Sequence, residues 1–353
     1  MRIFGILFAL VAAACLLAGC IDEVVTPSQA HRPTQQVTMS TTMVPTTMVP
    51  TTTVPTTTVP PTTVPPTTVP PTTVPPETEP AIQGGVPHKV TVEAPGTLEK
   101  RGGGAVIDYS NTRDGYVMVC FPQPSQQRLK VQVKGPGTTY TYNLTPEKWT
   151  AFPLSDENGA YQVTVYQNVT GSKYAALLSV QLEVTLSDPF APFLRSNQYV
   201  DFDAAPHAVD KADALTAGLT DPVKKVEAIY DFVVQTLRYD RELAATVQSG
   251  YLPALDQVLE RGKGICFDYA ALMTGMLRSQ DIPTKLVVGY AGQAYHAWIS
   301  VWTEQTGWVD GVIFFDSNGW HRMDPTFASS GGSSSDILAY IGDGANYVAK
   351  YFY

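Results

Sequence analysis

The chain has 353 residues, of which 16% are charged and 44% hydrophobic, and its formal net charge is -9. This length accommodates two ordinary domains. The acidic balance, with few Lys and Arg, excludes a surface that tracks a phosphate backbone, so no nucleic-acid partner is expected. At the N-terminus, Met1 and Arg2 precede an uncharged apolar run from Ile3 to Leu17. Such a run predicts a signal peptide over residues 1–20, too short to span a bilayer comfortably.

The run ends in Leu17-Ala18-Gly19-Cys20, which resembles a bacterial lipobox. The resemblance implies that Cys20 becomes the first mature residue and carries the lipid, and acyl chains on one residue anchor stably where one chain is marginal. The expected location is therefore the extracellular side of a bacterial cell membrane. Residues 21–85 hold almost nothing that buries a core. From Thr41 to Pro75 a five-residue unit repeats as TTMVP, TTTVP and PTTVP. A proline in every unit forbids helix, and β-branched Thr and Val favour extended backbone. The repeats predict a disordered, polyproline-like tether reaching roughly 110 Å when extended, at about 3.1 Å per residue.

Residues 86–190 alternate apolar and polar positions between Gly, Pro and Asn turns. Strands are expected at Lys89–Val92, Ala105–Tyr109, Gly115–Phe121, Leu129–Val133, Thr139–Leu144, Ala160–Tyr166 and Ala175–Leu186. Short strands at near-regular spacing predict a β-sandwich-like domain. It has no cluster of His, Cys or carboxylates, so a spacer or binding role is its default. Its Asn143-Leu144-Thr145 and Asn168-Val169-Thr170 match the N-glycosylation pattern, which in a bacterial lipoprotein is read as chance. Cys120 lies in an apolar strand and is read as a buried core thiol, free like Cys266.

After the junction Asp188–Phe193 the period turns helical, opening a second domain at residues 191–353. Asp221-Pro222 is an N-cap and first-turn pair, followed by the stripe Val223, Val226, Ile229, Tyr230, Val233 and Leu237. A shorter helix around Leu255, Val258 and Leu259 stops at Gly262-Lys263-Gly264. Cys266 then opens a helix with Ala270, Met273, Met276 and Leu277 at helical spacing, broken at Asp281-Ile282-Pro283. Strands follow at Lys285–Tyr290, Tyr295–Trp302, Val312–Phe315 and Trp320–Asp324. A Cys in the first turn of a helix meets unpaired N–H groups and the positive end of the dipole, which favour the thiolate. An imidazole that takes and returns its proton, oriented by a third group, makes such a Cys a nucleophile. His296 and Asp324 on the downstream strands supply these roles. His321 is a rival base, placed by alternation on the face opposite Trp320 and Asp324; Asp310 and Asp316 are rival orienting groups in a Gly/Asn-rich stretch.

Three blocks carry a resemblance: Gly264-Ile265-Cys266-Phe267-Asp268-Tyr269-Ala270, Tyr295-His296-Ala297-Trp298 and Met323-Asp324-Pro325-Thr326. Together they resemble the transglutaminase-like superfamily, a papain-related fold, over about residues 199–353. The resemblance implies an α+β fold with helices and an antiparallel sheet, Cys266 as nucleophile, His296 as general base and then acid, and Asp324 as orienting carboxylate. Tyr251 is a candidate side-chain oxyanion donor beside the Cys266 backbone N–H. The sequence has no visible calcium loop, and neither a metal nor a cofactor is implied. The first expectation is an extracellular thiol enzyme that acts on amide bonds of proteins, peptides or cell-wall peptides through an acyl-enzyme. A cysteine peptidase or amidase and a non-catalytic surface scaffold are the alternatives.

Overall fold

The computed structural model describes residues 91–310, the strands Ile313–Asp316 and Gly319–Arg322, Thr326, and residues 346–353. The signal peptide, Cys20, the tether and Asp324 lie outside the described residues. The described part falls within one compact unit, Gly84–Tyr353.

Two four-stranded antiparallel sheets make up the first half. One has the order β1 (Glu99–Gly102), β2 (Ala105–Asp108), β3 (Tyr116–Cys120), β6 (Thr150–Pro153); the other runs β5 (Thr139–Leu144), β4 (Leu129–Lys134), β7 (Gly159–Thr170), β8 (Lys173–Val184). Their inner faces follow the period of two. Leu129, Val131 and Val133 of β4 are buried and pair with the buried Leu144, Tyr142 and Tyr140 of β5. A β-sandwich was expected, but three strands differ, of which β1 was not foreseen. Thr91 and Val92 form no strand, because the Val92 N–H donates to the Asp203 carboxylate instead of to a neighbouring strand. β6 was not foreseen. It contains Pro153 and lies at a sheet edge, where a residue without an N–H is tolerated.

The second half is built around one helix. The long α2 (Pro222–Thr236) begins as expected, with Asp221 accepting from the Val223 N–H at 2.9 Å. Ahead of it lies α1 (Pro206–Thr216), which the sequence did not announce. Its first turn is capped from a distance: the His207 and Ala208 N–H groups donate to Asp256 at 3.2 and 2.8 Å. The short α3 (Arg241–Thr246) is capped by Asp240, and α4 (Leu255–Arg261) ends at Gly262 in the left-handed region. The central α5 (Cys266–Arg278) has every residue buried. It packs on one side against α1, α2 and α4, and on the other against β11 (Thr284–Ala291) and β12 (Ala294–Thr303). These two strands are the middle of a four-stranded antiparallel sheet, completed by β13 (Gly307–Asp310) and β16 (Tyr347–Phe352). β14 (Ile313–Asp316) and β15 (Gly319–Arg322) form a separate hairpin, and β9 (Arg238–Tyr239) pairs parallel with β10 (Lys263–Gly264).

One hydrophobic core runs through both halves. Tyr142 of β5 packs its ring against Tyr199 at 5.5 Å and Tyr353 at 5.8 Å, and Tyr199 meets Phe267 of α5 at 5.4 Å. The junction also takes part: Phe190 packs on Trp302 at 4.4 Å and Phe193 on Trp308 at 5.5 Å. Residue 190 is therefore a change of architecture but not a break in the core. A shared core predicts shared unfolding. Tyr142→Ala should cost about 3 kcal/mol or more, and in urea both tryptophan fluorescence and far-UV ellipticity should shift to one lower midpoint. Tyr142→Phe should be close to neutral, since the Tyr142 hydroxyl has no hydrogen-bond partner among the described residues.

Candidate active site

Cys266 is the first residue of α5, behind Ile265 in the N-cap position, and is 5% exposed. The first intrahelical bond joins the Tyr269 N–H to the Ile265 carbonyl. The N–H groups of Cys266, Phe267 and Asp268 therefore have no partner within the helix. The approach to the helix is held firmly. The Arg238 and Asp240 N–H groups donate to the Gly262 and Gly264 carbonyls, and Lys263 pairs with Asp240 at 3.0 Å. Burial works against the Asp240 charge, but the Leu243 N–H and Lys263 outweigh it and hold this carboxyl below its usual range.

Directly under the first turn lies Asp268, with no solvent exposure. One carboxylate oxygen accepts from the Ile265 N–H at 2.8 Å; the other accepts from the Tyr251 hydroxyl at 2.6 Å and lies 3.1 Å from the Arg261 guanidinium. Burial pushes the Asp268 carboxyl up, against the opposing pull of Tyr251, Ile265 and Arg261. Burial likewise opposes the Arg261 charge, yet Tyr251 and Asp268 hold it above its usual range. Tyr251, pushed up to about 12 by burial and then by Asp268, stays protonated at neutral pH. Its proton points at Asp268 while its oxygen accepts from Arg261 at 2.9 Å. This corrects the expectation for Tyr251, because a hydroxyl already donating to a buried carboxylate is not a free oxyanion donor.

Asp268 lies in the block around Cys266, where the resemblance implies no role for it. A signal was present: an acid at the third helical position reaches back to the N-cap N–H, half of a capping box. Gly264 belongs to the same arrangement. A Cβ there would stand 2.5 Å from the Asp268 Cβ and 2.8 Å from its carboxylate.

His296 lies near the start of β12 and is 2% exposed. Its ring stacks on Trp298 at 6.2 Å and meets Tyr347 edge-on at 6.2 Å. Alternation sends Ala297, Ile299 and Val301 into the core shared with α5, whereas His296 shares the other face with Trp298. Its neighbour Tyr295 packs against that core and ring-contacts Tyr290 at 5.4 Å. Burial raises the Tyr295 hydroxyl well above its usual range; nearby tyrosines add to this, as does Cys266. Cys266, at the start of α5, and Tyr295 of β12 are therefore electrostatic neighbours, while His296 lies on the opposite face of the strand. Asp324 lies outside the described residues. Of the rivals, Asp310 falls in β13, Asp316 in β14 and His321 in β15, by backbone position. Cys120 and Cys266 are both free, and burial raises the Cys120 thiol.

Residues 209–325, which include Cys266, His296 and Asp324, match the family model of the Transglutaminase-like superfamily. The chain thus carries a transglutaminase-like domain in its second half. Solved structures similar to the chain include a protein from Cytophaga hutchinsonii provisionally assigned as a cysteine protease, with 17% identity over 61% of this chain and 86% of that one and a TM-score of 0.30. Red sea bream transglutaminase aligns with 16% identity over 61% of this chain and 48% of its own, with a TM-score of 0.24. A protein from Parabacteroides distasonis, provisionally assigned as a protease, aligns with 17% identity over 41% of this chain and a TM-score of 0.25. The chain covers 35% of the Parabacteroides protein and, as above, under half of the sea bream enzyme. No curated protein matches the chain in sequence.

The close approach at Gly264 yields a direct test. Gly264→Ala should force Asp268 away from the Ile265 N–H and cost about 1–3 kcal/mol by overpacking. The expected result is a lower melting temperature together with slower alkylation of Cys266.

Proposed function

We propose that the chain is a lipid-anchored, extracellular cysteine enzyme that acts on amide bonds through a thioester. The observation that carries this reading is the position of Cys266: first residue of a buried helix, an electrostatic neighbour of Tyr295 in β12, inside a segment that matches the Transglutaminase-like superfamily. In this scheme His296 takes the Cys266 thiol proton and the thiolate adds to the amide carbonyl carbon. The developing oxyanion meets the Cys266 backbone N–H, one of the helix-end donors without an intrahelical partner. Collapse breaks the C–N bond, His296 returns the proton to the leaving ammonia or amine, and an acyl-thioester remains. A primary amine then attacks the thioester, His296 again moves the proton, and the thiol is restored. Asp324 orients the His296 ring. The substrate class is a glutamine-bearing protein or peptide, or cell-wall peptide, and the lipid on Cys20 holds the domain at the membrane on the Thr/Pro tether.

Three measurements test this. Iodoacetamide at neutral pH should label Cys266 faster than Cys120, although both are buried, and His296→Ala should slow the Cys266 reaction at least several-fold; equal rates for the two thiols would remove Cys266 as nucleophile. Incubation with a glutamine-peptide library and a fluorescent amine should give labelled peptides that vanish with Cys266→Ala. Cleavage or deamidation without amine incorporation would instead make the enzyme a peptidase or amidase, and neither product from a folded, alkylatable protein would favour the scaffold. For the anchor, a fatty-acid probe should label the wild-type chain in bacteria and fail to label Cys20→Ala.

A further inference from the structure

Asp268 presents an electrostatic problem if Cys266 is to work as a thiolate. A carboxylate in the same helical turn as a thiol opposes loss of the thiol proton, and this one is wholly buried, where bulk solvent screens it least. An acid at this position that served only as a cap would need no cation, because the backbone N–H alone satisfies the capping role. Here a cation is supplied. Arg261, the last residue of α4, holds its guanidinium 3.1 Å from Asp268 while its Nε donates to the Lys263 carbonyl at 2.8 Å. Tyr251 bridges the two, donating to Asp268 and accepting from Arg261. The arrangement spans the outside and inside of the protein, since Arg261 is partly exposed and Asp268 is not.

We infer that Asp268, Tyr251 and Arg261 form a charge-balancing network that positions Cys266 and sets how readily its thiol ionises. This inference rests on Cys266 being the nucleophile. Asp268 is a positioning residue: it fixes the N–H of Ile265, the residue immediately before Cys266, and so fixes the start of the helix. Arg261 cancels the charge that this role brings with it, leaving the positive end of the helix to favour the thiolate. Other groups face the same space. Tyr295 approaches from β12, Tyr199 packs on Phe267, and Asp240, paired to Lys263, adds to the field at Arg261.

The test is the rate of Cys266 alkylation by iodoacetamide in the full-length protein between pH 5 and pH 9, read by mass spectrometry of the Cys266 peptide. Arg261→Gln should raise the pH midpoint by about half a unit or more, Arg261→Lys should keep it near wild type, and Asp268→Asn should lower it. The double variant Arg261→Gln/Asp268→Asn should return towards the wild-type midpoint, because the two charges are removed together. A network that only braces the fold would lower the rate in each variant without moving the midpoint, or move both single variants the same way; either result overturns the inference. If Asp268→Asn does not fold, Arg261→Gln against Arg261→Lys decides alone, and equal midpoints overturn it. Alkylation of Cys266 no faster than that of Cys120 at every pH would instead overturn the nucleophile itself.

Discussion

A helix with no solvent face must satisfy both of its polar ends inside the protein, and α5 is such a helix. Four N–H groups at one end and four carbonyls at the other lack intrahelical partners. At the N-terminal end the buried Asp268 takes the Ile265 N–H. At the C-terminal end the carbonyls of Gly275, Met276, Leu277 and Arg278 accept from residues 279–282, and the fully buried Arg278 donates outward to the main-chain oxygens of Thr284, Arg195 and Tyr353, at 2.8, 2.7 and 2.5 Å. An acid at the positive end and a base at the negative end both complement the helix dipole. Burial lowers Arg278 to about 9, which still leaves it charged at neutral pH. These two side chains tie α5 to the segments before and after it, so the position of Cys266 is set by the whole core.

The sandwich takes part in that positioning. Its β5 supplies Tyr140 and Tyr142, whose rings reach Tyr351 and Tyr353 at the end of β16, and through Tyr199 the packing continues to Phe267, next to Cys266. Rings of this size contribute large buried areas and stiff contacts. The start of α5 is therefore braced from both halves. A spacer or binding role alone does not account for this contact.

Much of this was legible in the sequence where the signals were local. The period of two marked β4, β5 and β7; Asp221-Pro222 marked the start of α2; Gly262 marked the end of α4; and the apolar spacing after Cys266 marked α5. What escaped depended on partners distant in the chain. α1 is capped by Asp256 rather than by a residue of its own, and β16 exists because β11 offers it an edge. The network under Cys266 was half visible. Asp268 stood at the capping-box spacing, but its closeness to Tyr251 and Arg261 is created by the packing of α4 beside α5. Of the expected site, the structure brings Cys266 to the Tyr295 end of β12 and puts His296 one residue further along, on the Trp298 face of the strand.

The central claim is that Cys266 carries the acyl group during turnover. It is tested most directly by rapid acid quench of the full-length protein reacting with a glutamine-containing peptide, followed by intact-mass and peptide-level mass spectrometry. The account predicts an adduct on Cys266 with the mass of the peptide less ammonia, released by hydroxylamine. Turnover without such an adduct, persisting in Cys266→Ala, would contradict it.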